Sequence, residues 1–481
     1  MLHPKTRTYG GFPAPAMLMT NHHISVSRGG SKMKKRWVAL MLGTAIAVTA
    51  GCGGAATGTK EEAGSANGDK KGTAEPAAGL DKIDKPVTLV VFDTTGNWTK
   101  DNFAEAFSGS NIMQKFPNVT LKFMPFHKTR GGLTTDEMIA AGEQIDLIVG
   151  SPGTVGAGMY NQKLEADIAP LVKTLGFDLS RLNPGAVSIV KEVGNGTLHG
   201  IPFAMSHTAM MYNKDIFDKF GVAYPKDGMT WDDTYELAKK LTRTDGGKAY
   251  YGMFVSFYHA ALRNQSSLNL FDPNSGKSAF DSAAWKSFYG NFSRFYDLYD
   301  LNATQVVAAQ QKKMWDEEQV VAMYMPGSGD PAVKGLKNYD YVQSPVFKEK
   351  PGVGPQAYPF TMYISQTSKH KEEALKVINY LVSDEYQKAK AEEGTFIPAL
   401  KDNKYLDVFG KSNPSYQGKN VKALLPAVHA DSSKWNAFTG TYAKEALNAF
   451  IDIAIKTKDA NTALREGVER ADKAVQTSTF K

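Results

Sequence analysis

Apolar and polar residues follow regular periods once the first 85 residues of the chain have passed. Residues 87–92 form an apolar run that is typical of a buried strand, and residues 119–124 alternate as a half-buried strand does. Residues 145–149 are again mostly apolar. Helices are expected between these strands, at 100–116 and 133–142. The β-α-β-α-β order predicts a parallel sheet with helices on both faces.

Ligands bind such a sheet beyond the carboxyl ends of its strands. The loops at those ends are residues 93–99, after the first strand, and residues 150–158, after the third. Two amphipathic helices are predicted to close the chain, near 441–456 and 461–476. The two loops are therefore the first places to look for a binding site.

Residues 197–242 carry the densest set of local signals. An apolar run with a proline leads into a segment that we interpret as a hinge, at 204–208. A short extended piece follows at 209–212, then a polar turn at 213–215 and a short helix that ends at Gly221. The pattern predicts a chain that leaves one sheet, crosses a hinge and enters another.

A capped helix follows a Pro/Gly loop in the same region. Thr230 and Asp233 have the spacing of a capping box, in which each residue satisfies a backbone N–H of the other. Four apolar or aromatic residues then share one helical face: Trp231, Tyr235, Ala238 and Leu241. We expect Trp231 to pack at the start of this helix and not to form a ligand platform.

The order and spacing of these residues resemble the domain-crossing segment of bacterial extracellular solute-binding proteins, and most of all the sugar-binding branch that serves ABC importers. The matching residues are Leu198-His199-Gly200-Ile201-Pro202, Met211-Tyr212-Asn213-Lys214-Asp215-Ile216-Phe217, Gly221-Val222, Thr230-Trp231-Asp232-Asp233 and 238–242. Similar stretches recur at 318–329, 359–387 and 394–399, although Glu317 or Glu318 stands where the family commonly has glycine. The resemblance extends over about residues 86–481.

The resemblance implies an α/β fold of the two-lobed, periplasmic-binding-protein-like kind (type II), in which each lobe is a mixed sheet flanked by helices. Lobe 1 would comprise 86–204 and 363–405, and lobe 2 would comprise 205–357 and 406–481. The hinge crossings are expected near 204–208, 357–362 and 400–410.

A cleft that binds sugar needs aromatic rings for the apolar sugar faces and polar groups for the hydroxyls. Such residues lie in the expected loops and crossings, and Gly327 would let the backbone approach a ligand closely. The candidate ligand-binding residues are Asp93, Asn97, Trp98, Ser151, His207, Tyr258, Tyr324, Gly327, Tyr358 and Trp435. The alternatives are surface packing for Trp98, an interlobe hydrogen bond for His207 and a plain turn at Gly327. Tyr258 is expected in a loop that follows a strand.

Residues 33–51 have the pattern of a lipoprotein signal peptide. Basic residues at 33–36 precede a 14-residue apolar segment that is too short to span a bilayer comfortably. The segment ends in Ala50-Gly51-Cys52, the small residues and cysteine of a lipidation site, although Thr49 stands where leucine is usual. We expect Cys52 to be lipidated; the alternative is an ordinary secretory signal.

The segments on either side of this signal lack the composition of a folded domain. Residues 1–32 are interpreted as a non-native or disordered extension before a start at Met33. Residues 52–85 contain mostly Gly, Ala, Lys, Glu and Thr, so they read as a flexible tether. Because Cys52 is the only cysteine, no intrachain disulfide holds the fold.

The net charge of +7 arises in the leader. Residues 1–51 contain seven Lys and Arg and no acid, and beyond them 49 basic residues balance 49 acidic ones. The charge therefore gives no reason to expect a nucleic-acid partner. The sequence also lacks a nucleophile elbow, a phosphate-binding P-loop and an H-E-x-x-H zinc motif.

These observations predict a non-enzymatic receptor without a metal or cofactor. It would be a monomer, held by its lipid on the extracellular face of the cytoplasmic membrane. There it would capture a carbohydrate, such as an oligosaccharide, between its lobes and deliver it to ABC permease subunits. The alternatives are a sensory receptor that presents ligand to a membrane kinase, a binder of a non-sugar solute, and an anchored hydrolase with two carboxylates in its cleft.

Overall fold

The computed structural model describes residues 79–96, 98, 103, 109–126, 132–327 and 335–477. These residues belong to one of two compact units of the chain, and the other unit, residues 17–75, lies outside the described residues. The expected signal peptide, Cys52, Asn97 and most of the first half of the expected helix 100–116 lie outside them as well.

The strands divide between two separate sheets. In chain order they are β1 (Val87–Asp93), β2 (Val119–Met124), β3 (Leu147–Gly150), β4 (Gly200–Met205), β5 (Met210–Asn213), β6 (Arg243–Asp245), β7 (Lys248–Val255), β8 (Val321–Met325), β9 (Tyr339–Val342), β10 (Val353–Gly354), β11 (Pro359–Ile364), β12 (Ile397–Pro398) and β13 (Val428–His429). The first sheet has the order β12-β4-β11-β3-β1-β2 and the second has the order β6-β7-β8-β5-β9. β10 and β13 pair separately.

The first sheet is mixed. β1 pairs in parallel with both β2 and β3, as the β-α-β-α-β pattern predicts. β11 is antiparallel to β3 and β4, and β12 is antiparallel to β4. Strands from later in the chain thus return to this sheet in the opposite direction, and the parallel order predicted from residues 86–149 is confirmed for β1, β2 and β3. The mixed sheet implied by the family resemblance is confirmed.

The helices flank both sheets. They are α1 (Gly109–Lys115), α2 (Thr135–Ala140), α3 (Val155–Gly158), α4 (Ala169–Thr174), α5 (Pro184–Val193), α6 (Lys214–Phe220), α7 (Trp231–Leu241), α8 (Phe257–Leu262), α9 (Ala283–Tyr296), α10 (Ala303–Val306), α11 (Ala308–Asp316), α12 (Lys371–Leu381), α13 (Asp384–Glu393), α14 (Thr439–Ala454) and α15 (Ala460–Thr477). Short 3-10 turns lie at Tyr160–Gln162, Leu179–Arg181, Lys401–Asn403, Leu406–Val408, Pro414–Tyr416 and Val421–Leu424.

The local signals of the 197–242 segment are confirmed. Asn213 caps α6 by accepting a hydrogen bond from the Asp215 N–H, and Gly221 ends the helix in the left-handed conformation with φ of 64°. Thr230 and Asp233 form the reciprocal capping box of α7. Trp231 is buried at the start of this helix, and its Nε1–H donates to Gln265 Oε1 at 2.9 Å. This tryptophan is therefore a packing residue, as expected.

The chain passes between the sheets through irregular segments. It leaves the first sheet after Met205 and enters the second at Met210. It returns between Val342 and Pro359, and Pro359 already pairs with Met205, so the return strand starts before residue 363. Below, lobe 1 denotes residues 79–205 and 359–398, and lobe 2 denotes residues 210–342 and 439–477.

The last two helices pack on lobe 2. The ring of Phe450 in α14 stacks on Phe257 at 3.9 Å between centroids, and the Tyr289 hydroxyl of α9 donates to the Ala446 carbonyl at 2.9 Å. α15 packs against α14, where Gly467 lies close to Ala449. The C-terminal helices thus complete the core of lobe 2 and hold the segment before them, residues 433–438, beside lobe 1.

Candidate functional site

The carboxyl ends of parallel strands from both lobes come together at one place. In lobe 1 the loops after β1 and β3 begin at Asp93 and Gly150. In lobe 2 the parallel strands β7 and β8 end at Val255 and Met325. A Cβ at Gly153 would lie 3.3 Å from Leu262 Cδ1, which brings the loop of one lobe against the helix of the other. We call this region the seam: residues 93–96, 98 and 151–158 of lobe 1, residues 256–263 and 327 of lobe 2, and the connecting residues 206–208, 355–358 and 429–438.

Asp93 organises the first loop of the seam. Its side chain is fully buried, and Oδ1 accepts hydrogen bonds from the Thr95 N–H at 2.8 Å and from the Thr95 hydroxyl at 2.6 Å. Its other oxygen, Oδ2, accepts from the Trp98 N–H at 3.4 Å. Trp98 is buried and meets the ring of Phe360 edge to face at 6.2 Å. Asp93 therefore fixes the position of Trp98 through the backbone.

Tyr358 joins the second loop to the returning crossing. Its hydroxyl oxygen accepts a hydrogen bond from the Gly153 N–H at 3.1 Å and lies 3.3 Å from the Ser151 hydroxyl. Ser151 also donates its backbone N–H to Thr154 Oγ1 at 3.0 Å. Both predicted residues, Ser151 and Tyr358, are buried in one polar network at the end of β3.

His207 lies in the first crossing and faces Arg263. It is buried, and its Nδ1 has no hydrogen-bond partner among the described residues. Burial, and to a smaller extent the Arg263 guanidinium, lower the pKa of His207 to about 3. The imidazole is therefore neutral at physiological pH. The guanidinium donates from Nη1 to the His207 carbonyl at 3.1 Å and to the Ser206 hydroxyl at 3.3 Å.

The lobe 2 side of the seam is a short helix and a glycine turn. Tyr258 lies in the first turn of α8, so the loop expected there was wrong: the chain turns into a helix directly after β7. His259 Nδ1 lies 2.8 Å from the Ser256 hydroxyl. A Cβ at Gly327 would come within 2.3 Å of the His259 ring, so this position accepts only glycine without rearrangement.

Trp435 and its neighbours form the third wall of the seam. Trp435 is only 5% exposed, and within the described part of the chain its Nε1 has no hydrogen-bond partner. The preceding Ser433 donates its N–H at 2.9 Å and its hydroxyl at 3.1 Å to Gln356 Oε1. Gln356 is fully buried and donates its amide Nε2 to the Asn264 carbonyl at 2.8 Å. This chain of hydrogen bonds holds the Trp435 segment on lobe 2.

Tyr324 points away from the seam residues. Its ring packs against Trp315 of α11 at 5.7 Å, and burial with the nearby Asp316 carboxylate raises its pKa. We therefore leave Tyr324 out of the candidate site, because β8 turns this side chain toward the helices that cover the sheet. Asn97, the other predicted residue not placed here, lies outside the described residues.

Sequence reasoning missed the residues that tie the seam together, namely Arg263, His429 and Gln356. Arg263 follows an apolar helical turn and carries no motif, His429 ends the two-residue strand β13, and Gln356 lies in an irregular segment. The Arg263 carbonyl accepts from the Gln356 N–H at 3.1 Å, a contact between residues 93 positions apart. The contact between Arg263 and Gln356 forms only because the chain returns between the lobes, so it cannot be predicted from the local sequence.

The described residues contain no cluster of three or more His, Cys, Asp or Glu arranged to hold a metal ion. Across the same part of the chain, each helix is too short or too polar to cross a bilayer. Among the described residues, the seam contains aromatic faces, hydroxyls, imidazoles, the Arg263 guanidinium, the Asp93 carboxylate and the Lys434 ammonium group.

Comparison with known proteins identifies the family. Residues 93–388 match the family described as bacterial extracellular solute-binding protein. This range is more than half of the chain, and the chain belongs to that family. Over 319 residues it is 23% identical to the sn-glycerol-3-phosphate-binding periplasmic protein UgpB of Rhizobium meliloti, an alignment that covers 62% of this chain and 73% of the relative.

Solved structures share the fold. A sugar transporter of Rhizobium etli, solved in an open conformation, has a TM-score of 0.59 at 21% identity and covers 82% of this chain and 100% of its own. The sugar-binding protein MalE of Xanthomonas citri has a TM-score of 0.60 at 16% identity, with 81% and 98% covered. The two-lobed α/β fold is thus confirmed.

Proposed function

We propose that this protein captures a carbohydrate in the seam between its lobes and delivers it to an ABC importer. The observation that carries the proposal is the meeting of strand ends from both lobes at a place lined with aromatic residues. Trp98, Tyr258, Tyr358 and Trp435 supply ring surface there, and Trp435 Nε1, which has no hydrogen-bond partner among the described residues, would donate to a sugar hydroxyl. The sugar-related names of the similar structures support this ligand class.

Binding would depend on the relative position of the two lobes. Gly156 of lobe 1 lies against the Ala437 carbonyl, and Gly440 of α14 lies near the Gly153 carbonyl. When the two lobes are closed, a solute in the seam would be surrounded by residues of both lobes. When the lobes separate, the solute could enter. A ligand that contacts both lobes favours the closed state by the contacts it gains only there.

The test combines binding with solution scattering. The full chain is titrated with mono- and oligosaccharides while the radius of gyration and the melting temperature are measured. A sugar that binds should lower the radius and raise the melting temperature, because it binds the folded state only. Binding of a sugar with no change in the radius would refute capture between the lobes, and a lack of binding to every sugar would refute the ligand class.

A pair of tryptophan variants locates the site. Trp435→Phe removes the indole N–H and keeps a ring, so sugar binding should weaken by about 5- to 10-fold, the worth of one hydrogen bond. Trp315→Phe is the matched control, because Trp315 is also buried with an unpartnered Nε1 within the described residues, but it lies in the core of lobe 2. If sugar affinity fell equally in both variants, the cause would be reduced stability of the fold and not the loss of a contact with the ligand.

The anchoring and the cellular site belong to the same proposal. We infer that Cys52 carries the lipid and that the folded part works as a monomer on the outer face of the cytoplasmic membrane. Leu80 and Ile83 are buried in the core, so the tether expected over residues 52–85 would end before Leu80. The Asp93 carboxylate of the seam accepts hydrogen bonds from Thr95 and Trp98, and we assign no reaction to the seam.

A further inference from the structure

Arg263 is a buried cation at the centre of the seam. Only 4% of the residue is exposed, and it follows directly on α8 in lobe 2. Its guanidinium uses Nη1 for the Ser206 hydroxyl and the His207 carbonyl. Its Nε is buried and has no hydrogen-bond partner among the described residues. One edge of the guanidinium is therefore occupied and another is not.

Among the described residues, no carboxylate forms an ion pair with Arg263. Burial lowers the pKa of Arg263 to about 10, which still leaves it charged at neutral pH. The Tyr358 ring lies 5.7 Å from the guanidinium carbon, and the charge of Arg263 lowers the pKa of the imidazoles of His207, His259 and His429.

The pKa values of the His207, His259 and His429 imidazoles are all lowered, and Arg263 contributes to each. Burial is the main cause of the lowered pKa of each, and Arg263 contributes to all three, with His207 and His259 brought to about 3. His429 Nδ1 lies 2.8 Å from the Pro355 carbonyl, which can only accept, so this nitrogen carries the proton. Its Nε2 is then a buried acceptor that has no partner in the described ranges.

A buried charge without a counter-ion is strongly unfavourable, and proteins place such charges where a partner arrives. A guanidinium presents paired N–H groups whose geometry matches phosphate or carboxylate oxygens. We propose that Arg263 binds an oxyanion of the ligand, so that the captured solute is a sugar or polyol bearing a phosphate or carboxylate group. This inference rests on the proposed function and narrows its ligand class.

A purely structural role explains less of the arrangement. A neutral amide could donate to the His207 carbonyl without bringing a charge into the seam. Beside the guanidinium there is a cavity of about 20 Å³, lined also by His259, Ser256 and Pro355, which has room for about one water molecule. An oxyanion is larger than this cavity, so its binding to Arg263 requires the residues that line the cavity to move apart.

The test compares charged and neutral partners of the same skeleton. The full chain is titrated calorimetrically at low salt with sn-glycerol 3-phosphate, glucose 6-phosphate and glucuronate, and with glycerol and glucose as their neutral counterparts. At least one charged compound should bind 10-fold or more tightly than the neutral compound of the same skeleton. Whether that compound carries a phosphate or a carboxylate shows which oxyanion the site prefers. In Arg263→Gln, which keeps a donor for the His207 carbonyl, this preference should fall by about 10- to 100-fold.

Two further variants complete the design. Arg263→Lys keeps the charge and loses the paired donors, so it should retain part of the preference for charged over neutral compounds. It replaces Arg263→Gln in the test if that variant does not fold. Arg465→Gln is the control, because Arg465 is exposed on α15 and pairs with Glu469 at 2.9 Å. Neutral sugars that bind as tightly as charged ones, or a preference that survives in Arg263→Gln, would overturn the anion site and leave the receptor proposal standing. Absence of binding to all five compounds and to the neutral oligosaccharides would overturn both.

Discussion

The ammonium group of Lys434 lies 3.0 and 3.1 Å from the two carboxylate oxygens of Glu192. Glu192 belongs to α5 on lobe 1, whereas the backbone N–H of Lys434 donates to Asn269 of lobe 2 at 2.8 Å. The ion pair therefore bridges the seam. Its two side chains are 53% and 31% exposed, so water screens it and its contribution to closure is small.

Removal of this bridge should loosen the closed state slightly. In Lys434→Met we expect ligand dissociation to accelerate by no more than about 5-fold, the equivalent of about 1 kcal/mol, and the effect should shrink at high salt. Stopped-flow dissociation at two salt concentrations measures it. Lys239→Met is the control, since Lys239 pairs with Glu236 inside α7. A change of equal size in both variants would show that the bridge has no role in closure.

A methyl group at Gly156 should hold the lobes apart. A Cβ at this position would lie 2.2 Å from the Ala437 carbonyl oxygen, a backbone atom that cannot turn aside. Overpacking of this kind costs about 1 to 3 kcal/mol, so Gly156→Ala should weaken ligand binding by about 5- to 150-fold and enlarge the radius of gyration in the presence of ligand. Calorimetry and solution scattering test this directly.

Gly290 provides the matched control for that substitution. It lies in the interior of α9, and a Cβ there meets no heavy atom within 4 Å. Gly290→Ala should leave binding unchanged and stabilise the protein by about 0.5 to 1 kcal/mol, because alanine loses less backbone freedom on folding than glycine does. Normal binding in Gly156→Ala would show that the lobes need not approach this closely.

The capping box of α7 should make stability depend on pH. The Thr230 hydroxyl, at 2.7 Å, and then the Thr230 N–H lower the pKa of Asp233. A carboxylate whose pKa is lowered by folding contributes stability above its unfolded pKa of about 3.9, and this contribution disappears as pH falls through the folded value. The difference in unfolding free energy between the wild type and Asp233→Asn should therefore shrink from pH 6 toward pH 3.

Urea unfolding at several pH values measures this difference. Thr230→Ala should itself cost about 0.5 to 2 kcal/mol, as loss of an N-cap side chain does. In the Thr230→Ala background the pH-dependent part of the Asp233→Asn effect should be smaller, because the hydroxyl partner is gone. A difference that grows as pH falls would contradict the sign of the pKa change.

Lipidation at Cys52 can be tested independently of ligand binding. The full chain should label with an alkynyl fatty acid in a bacterial host and sediment with membranes, and Cys52→Ser should do neither. Thr49→Leu introduces the residue that usually stands three positions before such a cysteine, so it should label at least as well. Membrane sedimentation of unlabelled Cys52→Ser would indicate an ordinary signal or a different anchor.

Many strands, helix ends and turns could be predicted from short stretches of the sequence. Gly221 follows a short helix and adopts a positive φ, a conformation that few residues other than glycine accept readily. The strands at 87–92 and 119–124 were placed within one residue of β1 and β2, because their apolar patterns are set by burial on a sheet. Such signals involve residues only a few positions apart, so a single sequence contains them.

The site was only partly foreseen, and the reason is visible in Tyr358 and Arg263. Tyr358 attracted notice as an aromatic residue in an expected crossing, but its partner Gly153 lies 205 positions away. Arg263 stands in no motif, and the contacts that make it a candidate, such as those with Ser206 and Tyr358, join residues far apart in the chain. Tyr324 shows the opposite error: its strand turned it toward the helices.

The sequence by itself determined the parallel start of the first sheet, the crossing at 204–208 and the capped helix at Thr230, because periodicity, caps and turns act over a few residues. The two-lobed α/β class was implied by the resemblance to the family. The tertiary structure decided the antiparallel return of β11, the contact of Gly156 with Ala437 and the burial of Arg263. These depend on strand order and lobe contact, which arise from pairings between residues far apart in the chain and leave no periodic trace in it.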